Sequence, residues 1–310
     1  MANWKKLEII GNGSYATVYL AAVMFPQEES NWKVTAVKSS RPFPYSFASL
    51  RKEKKILELF IGCKEILQCF FYTYTIERGF SIYNLFMEFA PYGSLADLIR
   101  KGPLPEKEVI LCTHMLLKGL SCIHGKGIVH CDLKPDNILL FPSSEDPTKF
   151  QLKISDFGLS KIRGERNADF GQIKFRGTPF YMSPESLVGL LEASLDIWSL
   201  GCIVIEMITG FPAWRDLETR DDLMFKLAFL QEAPEIPYEL DWDCKSFLRK
   251  CFMKDPRQRW TATMLLTHPF MQKEYPTSFI INNSSSFFLI SYDIVSYVLF
   301  IALFFILKLV

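Results

Sequence analysis

The segment "IVHCDLKPDNILLF" sets His130, Asp132, Lys134 and Asn137 between two apolar runs. The Asp132 carboxylate can accept a proton from a substrate hydroxyl, and the Lys134 ammonium can neutralise charge on a phosphoryl group during its transfer. The amide oxygen of Asn137 is a suitable ligand for a divalent cation. Further along, "ISDFGLS" supplies Asp156, whose carboxylate can coordinate Mg²⁺. This set of residues predicts phosphoryl-transfer chemistry.

A glycine-containing stretch near the start of the chain, "GNGSYATV", is suited to close over a phosphate. Gly11 and Gly13 allow a close approach of the backbone, and Ala16 keeps the third position small. The following "TVYLAAV" is rich in strand-forming residues, so the pattern predicts a strand-turn-strand lid and not the strand-to-helix turn of a dinucleotide fold. Taken alone, the pattern favours a glycine hairpin that binds no ligand.

Lys38 lies between short apolar residues in "TAVKSS", on a predicted strand. A buried ammonium needs anions, and phosphate oxygens on one side with a carboxylate on the other would satisfy it. The candidate carboxylate is Glu53 in "RKEKKIL", because the helical spacing puts it near the apolar stripe that includes Ile56. From this stretch alone, a strand lysine that reaches solvent is the favoured alternative.

The composition disfavours several classes of protein. The 310 residues include 35 Lys+Arg and 34 Asp+Glu, and the net charge of +1 does not favour nucleic acid as a partner. The eight cysteines lack the close pairing that zinc sites use, which favours a reducing intracellular setting over a disulfide scaffold. The first residues, "MANWKKLEIIGNG", lack the apolar core of a secretory signal. These features predict a cytoplasmic protein.

The hydrophobic pattern divides the chain into two folded parts and a tail. Residues 4–89 contain β-rich runs around one helical stretch, "FASLRKEKKILELF", which predicts a small sheet with one helix. Residues 93–271 are mostly helical, with Gly and Pro at the predicted helix ends. We therefore predict an α+β fold of two lobes. Residues 272–286 form a polar linker, and residues 287–310 are a strongly apolar tail.

Eight short motifs occur in a fixed order along residues 4–271. After the glycine-rich loop come "AVK", the helix glutamate, "HCDLKPDN", "DFG", "GTPFYMSPE", "DIWSLG" and "DPRQRW". In this order they resemble the eukaryotic protein kinases. The resemblance implies an α+β fold with a small β-rich lobe and a larger helical lobe, ATP in the cleft between them, and two Mg²⁺ ions.

The resemblance also assigns roles position by position. The catalytic positions are matched by Asp132 as the base, Lys134, Lys38 and Glu53, and the metal positions by Asn137 and Asp156. Nucleotide-binding positions are matched by Ile10, Gly11, Gly13, Ala16, Val18, Ala36, Lys38, Met87, Glu88, Ala90 and Leu139. Met87 matches the gatekeeper, and Glu88 to Ala90 match the backbone hinge that hydrogen-bonds adenine. Structural positions are matched by Glu185, Asp196 and Arg259.

Within the kinases, "DLKPDN" and "GTPFYM" are typical of the serine/threonine branch, and the surrounding strings most resemble plant MAP kinase kinase kinases. The resemblance implies ATP-dependent phosphorylation of Ser or Thr on a protein substrate, a MAP kinase kinase, in a signalling cascade. The alternatives are a pseudokinase that binds ATP and partners without transfer, and a membrane-tethered scaffold. A pseudokinase usually lacks one of Lys38, Glu53, Asp132, Asn137 and Asp156, and all five are present.

Cys131 stands where many kinases have an arginine that pairs with a phosphorylated activation loop. The loop segment "IRGERNADFGQIKFR", residues 162–176, contains no Ser, Thr or Tyr. Of the flanking hydroxyls, Thr178 is better explained as a contact of Asp132 and Lys134. We therefore predict that activity does not require phosphorylation of the central loop. The alternative for Cys131 is a neutral packing residue, since a buried thiol behaves as a small hydrophobe.

The tail "FFLISYDIVSYVLFIALFFILKLV", residues 287–310, is long and apolar enough for a transmembrane anchor, which needs about 20 residues. Asp293 near one end and Lys308 interrupt it, and no basic cluster flanks it. The sequence leaves open a membrane anchor, a non-native terminus and a segment packed on the protein or on a partner.

Overall fold

The computed structural model describes residues 3–24, 32–143, 150–163, 177–215, 217 and 219–273. The described residues form two compact units. The first contains residues up to 92 with 140–143 and 150, and the second contains residues 93–139 and 151–273. The loop 164–176, the linker beyond residue 273 and the apolar tail 287–310 lie outside the described residues.

The first unit is built on a five-stranded antiparallel sheet. Its strands are β1 (Asn3–Asn12), β2 (Ala16–Met24), β3 (Trp32–Ser40), β4 (Cys69–Glu77) and β5 (Phe80–Met87), in the order β1-β2-β3-β5-β4. Side chains of the edge strand β4 alternate between half-buried and exposed positions. The inner strands β3 and β5 are buried along most of their length. Lys38 therefore lies on a buried part of β3, where packing fixes the backbone.

One helix of the first unit, α1 (Pro44–Glu58), packs on the sheet. Pro44 stands in its first turn, where the missing backbone N–H loses no helical hydrogen bond. Leu50, Ile56 and Leu57 are buried, and Glu53 lies on the same buried face. The predicted small sheet with one helix is confirmed.

The second unit is mainly helical. Its helices are α2 (Leu95–Ile99), α3 (Glu106–Gly125), α4 (Ala193–Thr209), α5 (Arg220–Phe225), α6 (Trp242–Cys251) and α7 (Ala262–Leu266). Short strands are β6 (Ile128–Val129), β7 (Ile138–Pro142), β8 (Phe150–Ile154) and β9 (Lys161–Ile162), of which β6 and β9 pair antiparallel. The end of β7, residues 140–142, and the first residue of β8 belong to the first unit. Single 3-10 turns cover Pro135–Asn137, Phe157–Leu159, Pro179–Tyr181, Pro184–Val188 and Pro269–Gln272, and a π-helical turn covers Lys226–Leu230.

Helices α3 and α4 pack against each other at the centre of the second unit. Most residues of α4 are buried, including Trp198, and the helix ends at Gly210 in the left-handed conformation that favours glycine. The α+β architecture predicted from the sequence, a β-rich lobe and a helical lobe, is confirmed. In the part of the chain that the structure describes, no helix is both long enough and apolar enough to cross a membrane.

Candidate active site

The side chains of Asp132, Lys134 and Thr178 form one hydrogen-bonded group in the second unit. The Thr178 hydroxyl donates to Asp132 Oδ1 at 2.9 Å and accepts from Lys134 Nζ at 2.9 Å. Lys134 Nζ also lies 3.5 Å from Asp132 Oδ2. A hydroxyl is therefore held between a carboxylate that can take its proton and an ammonium that can stabilise its oxygen. The contact expected of Thr178 is present.

Asn137 joins this group through its amide nitrogen. Its Nδ2 donates to the Asp132 carbonyl at 2.8 Å and to Asp132 Oδ2 at 3.2 Å. The residue ends a 3-10 turn that begins at Pro135, and it is buried. Because both donor contacts use the NH₂ group, the amide oxygen points away from Asp132 and retains its ability to bind a cation.

The loop that carries Asp132 is tied to helix α4 by one buried carboxylate. Asp196 accepts from the backbone N–H of His130 at 2.8 Å and of Cys131 at 3.0 Å, and its Oδ2 lies 2.9 Å from His124 Nε2. Asp196 has no exposed surface. An ionised carboxylate at such a position needs several donors, and the loop backbone supplies them. The loop geometry thus depends on α4.

Glu185 and Arg259 form the ion pair expected of them. Arg259 Nη2 donates to Glu185 Oε2 at 3.2 Å and to the Met253 carbonyl at 2.9 Å, and Nη1 donates to the Ser194 carbonyl at 2.8 Å. Both side chains are buried. The guanidinium connects the turn after Ser183 to the start of α4 and to the end of α6, so its role is structural.

His130 fixes the same loop from its inner side. Its Nε2 lies 2.9 Å from the Ser155 carbonyl, and its Nδ1 accepts from the Asp132 backbone N–H at 3.3 Å. The imidazole is buried and meets the Phe157 ring edge-on, with centroids 5.0 Å apart. These contacts assign the proton to Nε2, because Nδ1 must accept. His130 therefore links the Asp132 loop to the segment that carries Asp156.

Asp156 has a left-handed backbone conformation, with φ 62°, which is uncommon for a residue other than glycine. Its Oδ1 accepts from the Gly158 backbone N–H at 3.3 Å, and Phe157 is fully buried. The Ser155 hydroxyl donates to the Asn137 carbonyl at 2.9 Å. The two predicted metal ligands, Asn137 and Asp156, thus lie on segments that are directly hydrogen-bonded to each other.

Cys131 belongs to the loop that carries Asp132, and its side chain is buried in the core. Its thiol is 3.6 Å from the Val129 carbonyl, and its side chain packs with Val129, Leu191 and Leu195. Its φ is 66°, so the residue also has a left-handed backbone. The side chain is 5% exposed, which agrees with the packing alternative for this position.

Tyr181 and Glu206 share a hydrogen bond near Thr178. The Tyr181 hydroxyl donates to Glu206 Oε2 at 2.6 Å. Burial raises the pKa of the Glu206 carboxyl, the tyrosine hydrogen bond opposes this shift, and the nearby Asp136 adds to it. The bond joins the 3-10 turn after Thr178 to α4.

The first unit contains the predicted pair of Lys38 and Glu53. Lys38 Nζ lies 2.7 Å from Glu53 Oε2 and 2.9 Å from Oε1. Glu53 is 1% exposed and Lys38 is 9% exposed, so the ammonium does not reach solvent as the alternative required. A buried carboxylate that holds a buried lysine fixes the position of the ammonium on β3.

The glycine-rich segment forms the predicted strand-turn-strand hairpin between β1 and β2. Gly13 N–H donates to the Ala16 carbonyl at 2.9 Å, and Gly11 is paired with Val18. A Cβ on Gly11 or Gly13 would meet only ordinary van der Waals contacts, at 3.5 Å or more, and neither residue has a positive φ. The hairpin itself therefore does not require glycine at these two positions.

The strand register gathers the other predicted nucleotide residues of the first unit. Val18 pairs with Lys38 across β2 and β3, and Ala36 pairs with Met87 across β3 and β5. Cross-strand partners share a face, and residues two apart on β3 do as well, so these four side chains lie on one face of the sheet. Ile10 is exposed, whereas Glu88 and Ala90 are half-buried in the segment after β5. Leu139, half-buried on β7, belongs to the second unit.

Comparison with known proteins agrees with this geometry. The family model described as "Protein kinase domain" matches residues 4–271. The chain belongs to the protein kinase family, as predicted, and this family generally uses ATP and Mg²⁺.

Its similar proteins include three from Arabidopsis thaliana. Mitogen-activated protein kinase kinase kinase 20 is 39% identical over 86% of this chain and 78% of its own length. Mitogen-activated protein kinase kinase kinase 17 is 38% identical over 86% of this chain and 69% of its own length, and kinase 18 is 35% identical over 92% and 83%. The predicted likeness to plant MAP kinase kinase kinases is confirmed, and so is the prediction of a serine/threonine protein kinase.

Sequence reasoning missed three side chains that organise the site. His124 contacts Asp196, and Ser155 contacts the Asn137 carbonyl. The Gln68 side chain binds backbone groups of its own loop, and the Gln68 backbone N–H donates to Glu88. His124 lies in the last turn of α3, and both it and Gln68 fall outside every quoted motif. Ser155 directly precedes "DFG", which was the available signal.

Proposed function

We propose that this kinase transfers the γ-phosphoryl group of ATP to serine and threonine hydroxyls, and that its protein substrate is a MAP kinase kinase. The observation that carries the proposal is the Thr178 hydroxyl held between Asp132 Oδ1 and Lys134 Nζ, at 2.9 Å from each. Asp132 and Lys134, which would activate a substrate hydroxyl, therefore already bind an aliphatic hydroxyl of this chain.

In this proposal Asp132 is the catalytic base. Its Oδ1 takes the proton of the substrate hydroxyl, and Asn137 Nδ2 donates to the other carboxylate oxygen, which holds the carboxylate in place. Lys134 contributes positive charge beside the reacting oxygen. Thr178 is a positioning residue, because its hydroxyl keeps the carboxylate and the ammonium at a fixed spacing.

The first unit would supply contacts to the nucleotide. Lys38, fixed by Glu53, offers its ammonium to phosphate oxygens. The glycines at 11 and 13 are not needed by the hairpin itself, and close approach of a phosphate to the backbone accounts for them. The remaining proposed contacts are Ile10, Ala16, Val18, Ala36, Met87, Glu88 and Ala90, with Leu139 from the second unit.

Asn137 and Asp156 fit the requirements of Mg²⁺. Both offer hard oxygen atoms, and the hydrogen bond between Ser155 and the Asn137 carbonyl joins the segments that carry them. When bound, Mg²⁺ neutralises negative charge on the phosphates. The carboxylate oxygens of Asp156 and the amide oxygen of Asn137 are the proposed ligands.

The proposed substrate follows from the relatives, which are named as kinases that act on MAP kinase kinases. The test is phosphotransfer by the full chain to a panel of MAP kinase kinases whose own ATP-site lysine has been replaced. We expect phosphate on Ser or Thr of the substrate's activation loop. Matched controls are Asp132→Asn and Lys38→Met, which should each abolish transfer.

Transfer to generic substrates but to no member of the panel would refute the proposed substrate while leaving the reaction intact. Transfer that persists in Asp132→Asn would refute the assigned base. Phosphotyrosine as the main product would contradict the proposed role of the Thr178 group.

We also propose that residues 4–271 are the kinase domain, with lobes at 4–89 and 93–271, and that the kinase acts in the cytoplasm. The tail 287–310 lies outside the described residues, and its length and apolar content support a membrane anchor. Vesicle flotation of the full chain tests this. An anchor is supported if the wild-type chain floats with the vesicles and the variant with both Leu299→Arg and Leu303→Arg does not. An anchor is refuted if the wild-type chain stays at the bottom of the gradient.

A further inference from the structure

Gln68, in the first unit, makes four side-chain hydrogen bonds outside the proposed phosphate site. It lies in the loop between α1 and β4, residues 59–68. Its amide Nε2 donates to three backbone carbonyls of that loop, at 3.2 Å to Phe60, 3.1 Å to Cys63 and 2.8 Å to Ile66. Its Oε1 accepts from the Gly62 backbone N–H at 3.0 Å. One side chain thus satisfies four backbone groups that the loop leaves outside a helix or strand.

The backbone of Gln68 is bound to a different segment. Its N–H donates to Glu88 Oε2 at 2.9 Å, and its carbonyl accepts from the Glu88 N–H at 3.1 Å. The ladder of β4 and β5 ends just before, at the pair of Cys69 and Met87. Beyond that pair the Gln68 N–H has no partner in the ladder, and it donates a charge-assisted hydrogen bond to the Glu88 carboxylate instead.

We infer that Gln68 and Glu88 form a positioning pair that sets the backbone of Glu88 to Ala90 for adenine. This inference rests on the proposed function, which assigns adenine binding to that backbone. The pair also reaches α1, because the loop held by Gln68 continues directly from the helix that carries Glu53. The hydrogen bonds of Leu59 and Phe60 to Ile56 and Leu57 extend the helical end into this loop.

The pair therefore connects two parts of the nucleotide site within the first unit. At one end is the backbone that would bind the base, and at the other is the helix whose glutamate fixes Lys38. Both Gln68 and Glu88 are half-buried, so water competes only partly for these hydrogen bonds. Losing either side chain should loosen the segment at Glu88 without touching Asp132 or Lys134.

The test compares Gln68→Met and Glu88→Met in the full chain, with a rescue variant, Glu88→Gln. Methionine keeps the size of each side chain and removes its hydrogen bonds, whereas glutamine at 88 keeps an oxygen that can accept from the Gln68 N–H. Matched controls are Gln272→Met, which loses one hydrogen bond to the Leu266 carbonyl, and Glu77→Met, at the far end of β4. The Kd for ATP is measured by displacement of a fluorescent nucleotide, alongside KM for ATP, kcat and the melting temperature.

We expect both methionine variants to raise Kd and KM for ATP about tenfold. Glu88→Met loses the hydrogen bond of its carboxylate to the Gln68 N–H, and Gln68→Met loses the four hydrogen bonds that hold the loop. The KM for the protein substrate should stay within about twofold. Glu88→Gln should recover most of the ATP affinity that Glu88→Met loses, and both controls should bind ATP like the wild type. The double variant Gln68→Met with Glu88→Met should raise the Kd for ATP no more than the single variant with the larger effect. The reason is that the two residues act through one connection.

The inference is overturned if ATP affinity is unchanged while the melting temperature falls, since that is a purely structural role. It is also overturned if Glu88→Gln weakens binding as much as Glu88→Met, or if the double variant is additive. If Gln68→Met does not fold, Gln68→Glu keeps the acceptor for Gly62 and removes the three donated bonds, and it should raise the Kd for ATP.

Nucleotide binding is measured here without transfer, so the two proposals fail separately. A wild-type chain that binds ATP, responds to the variants as expected and transfers nothing would refute the proposed reaction and support the positioning pair. Transfer that is normal in every variant, with unchanged ATP affinity, would refute only the pair.

Discussion

Thr178 has a defined geometric task at the scale of single residues. Its hydroxyl bridges Asp132 Oδ1 and Lys134 Nζ, and the methyl group of a valine would occupy the same space without either hydrogen bond. We expect Thr178→Val to lower kcat by about 100-fold, the effect of misplacing catalytic groups by about an ångström. Thr178→Ser should retain most of the activity. Steady-state kinetics on one Ser/Thr peptide provide the comparison.

The prediction for Thr178 would be contradicted if Thr178→Val had the same kcat as the wild type. In that case the hydroxyl would not be needed to hold the base, and the role of the group around Asp132 would have to be reconsidered.

His268 gives the structure a predicted dependence on pH. It caps the last 3-10 turn, where Nδ1 accepts from the Phe270 N–H at 3.1 Å, and Nε2 lies 3.2 Å from the Ser246 hydroxyl. Burial lowers the pKa of the imidazole below its ordinary value of 6.5; Asp243 acts in the opposite direction, and Lys250 lowers the pKa further. The neutral form is therefore the one that the fold stabilises.

The sign of this effect follows from linkage. Because the folded state binds the proton more weakly than the unfolded state, the free energy of unfolding falls as pH drops below 6.5 and through the lower folded pKa. His268→Asn keeps an acceptor for the Phe270 N–H and cannot titrate. We expect the melting temperature of the wild type to fall more steeply than that of this variant between about pH 7 and pH 5. Parallel curves for the two proteins would show that His268 does not contribute.

At the scale of elements, the segment that brings Thr178 to Asp132 depends on one glycine. Gly177 has φ 110°, and a Cβ there would lie 2.6 Å from the Cys131 carbonyl oxygen. Gly189→Ala is a matched control, because its φ of 78° is also left-handed but its Cβ would meet nothing within 4 Å. Gly177→Ala should lower kcat at least tenfold, and the control should change stability only, by about 1 kcal/mol.

The measurement for this pair is kcat together with the melting temperature of both variants. If the two substitutions lowered kcat equally, the close approach of Gly177 to the Cys131 carbonyl could not be the cause of the loss.

The sequence could predict those elements whose pattern is local. The apolar spacing of Leu50, Ile56 and Leu57 predicts α1 and the inward face that carries Glu53, because a helix puts residues three and four apart on one side. Whether Lys38 is buried could not be decided from its own strand. Its burial depends on β5 and α1, which come from later parts of the chain.

The contacts of Gln68 and His124 could not be predicted for a similar reason. Glutamine and histidine are ordinary residues at the end of a helix or loop, and no spacing rule connects Gln68 with Glu88 or His124 with Asp196. Both pairings result from tertiary packing, in which buried backbone groups take whichever polar side chain is within reach. The motif residues Asp132, Asn137 and Asp156 were identified because several motifs occur in a fixed order.

At the scale of the whole molecule, we predict activity that does not depend on loop phosphorylation. The segment 164–176 has no Ser, Thr or Tyr, and Cys131 is a buried packing residue that cannot bind a phosphate. The nearest preceding hydroxyl, that of Ser160, is fully buried and donates to the His130 carbonyl at 3.2 Å. We expect phosphatase treatment of the purified kinase to leave its kcat within about twofold, because no phosphate-dependent ion pair is broken.

The companion variant is Ser160→Ala, assayed with and without phosphatase. Inactivation by phosphatase in the wild type that is absent from Ser160→Ala would refute this prediction.

Phosphotransfer by Asp132 is tested most simply by ATP-dependent phosphorylation of a Ser/Thr peptide by the full chain, compared with Asp132→Asn. ATP binding of both proteins is measured in the same preparation. We expect transfer to Ser or Thr by the wild type, and a loss of at least about 100-fold in the variant with ATP affinity retained. Binding of ATP by both proteins with no transfer by either would contradict the assigned reaction and identify the chain as a nucleotide-binding pseudokinase.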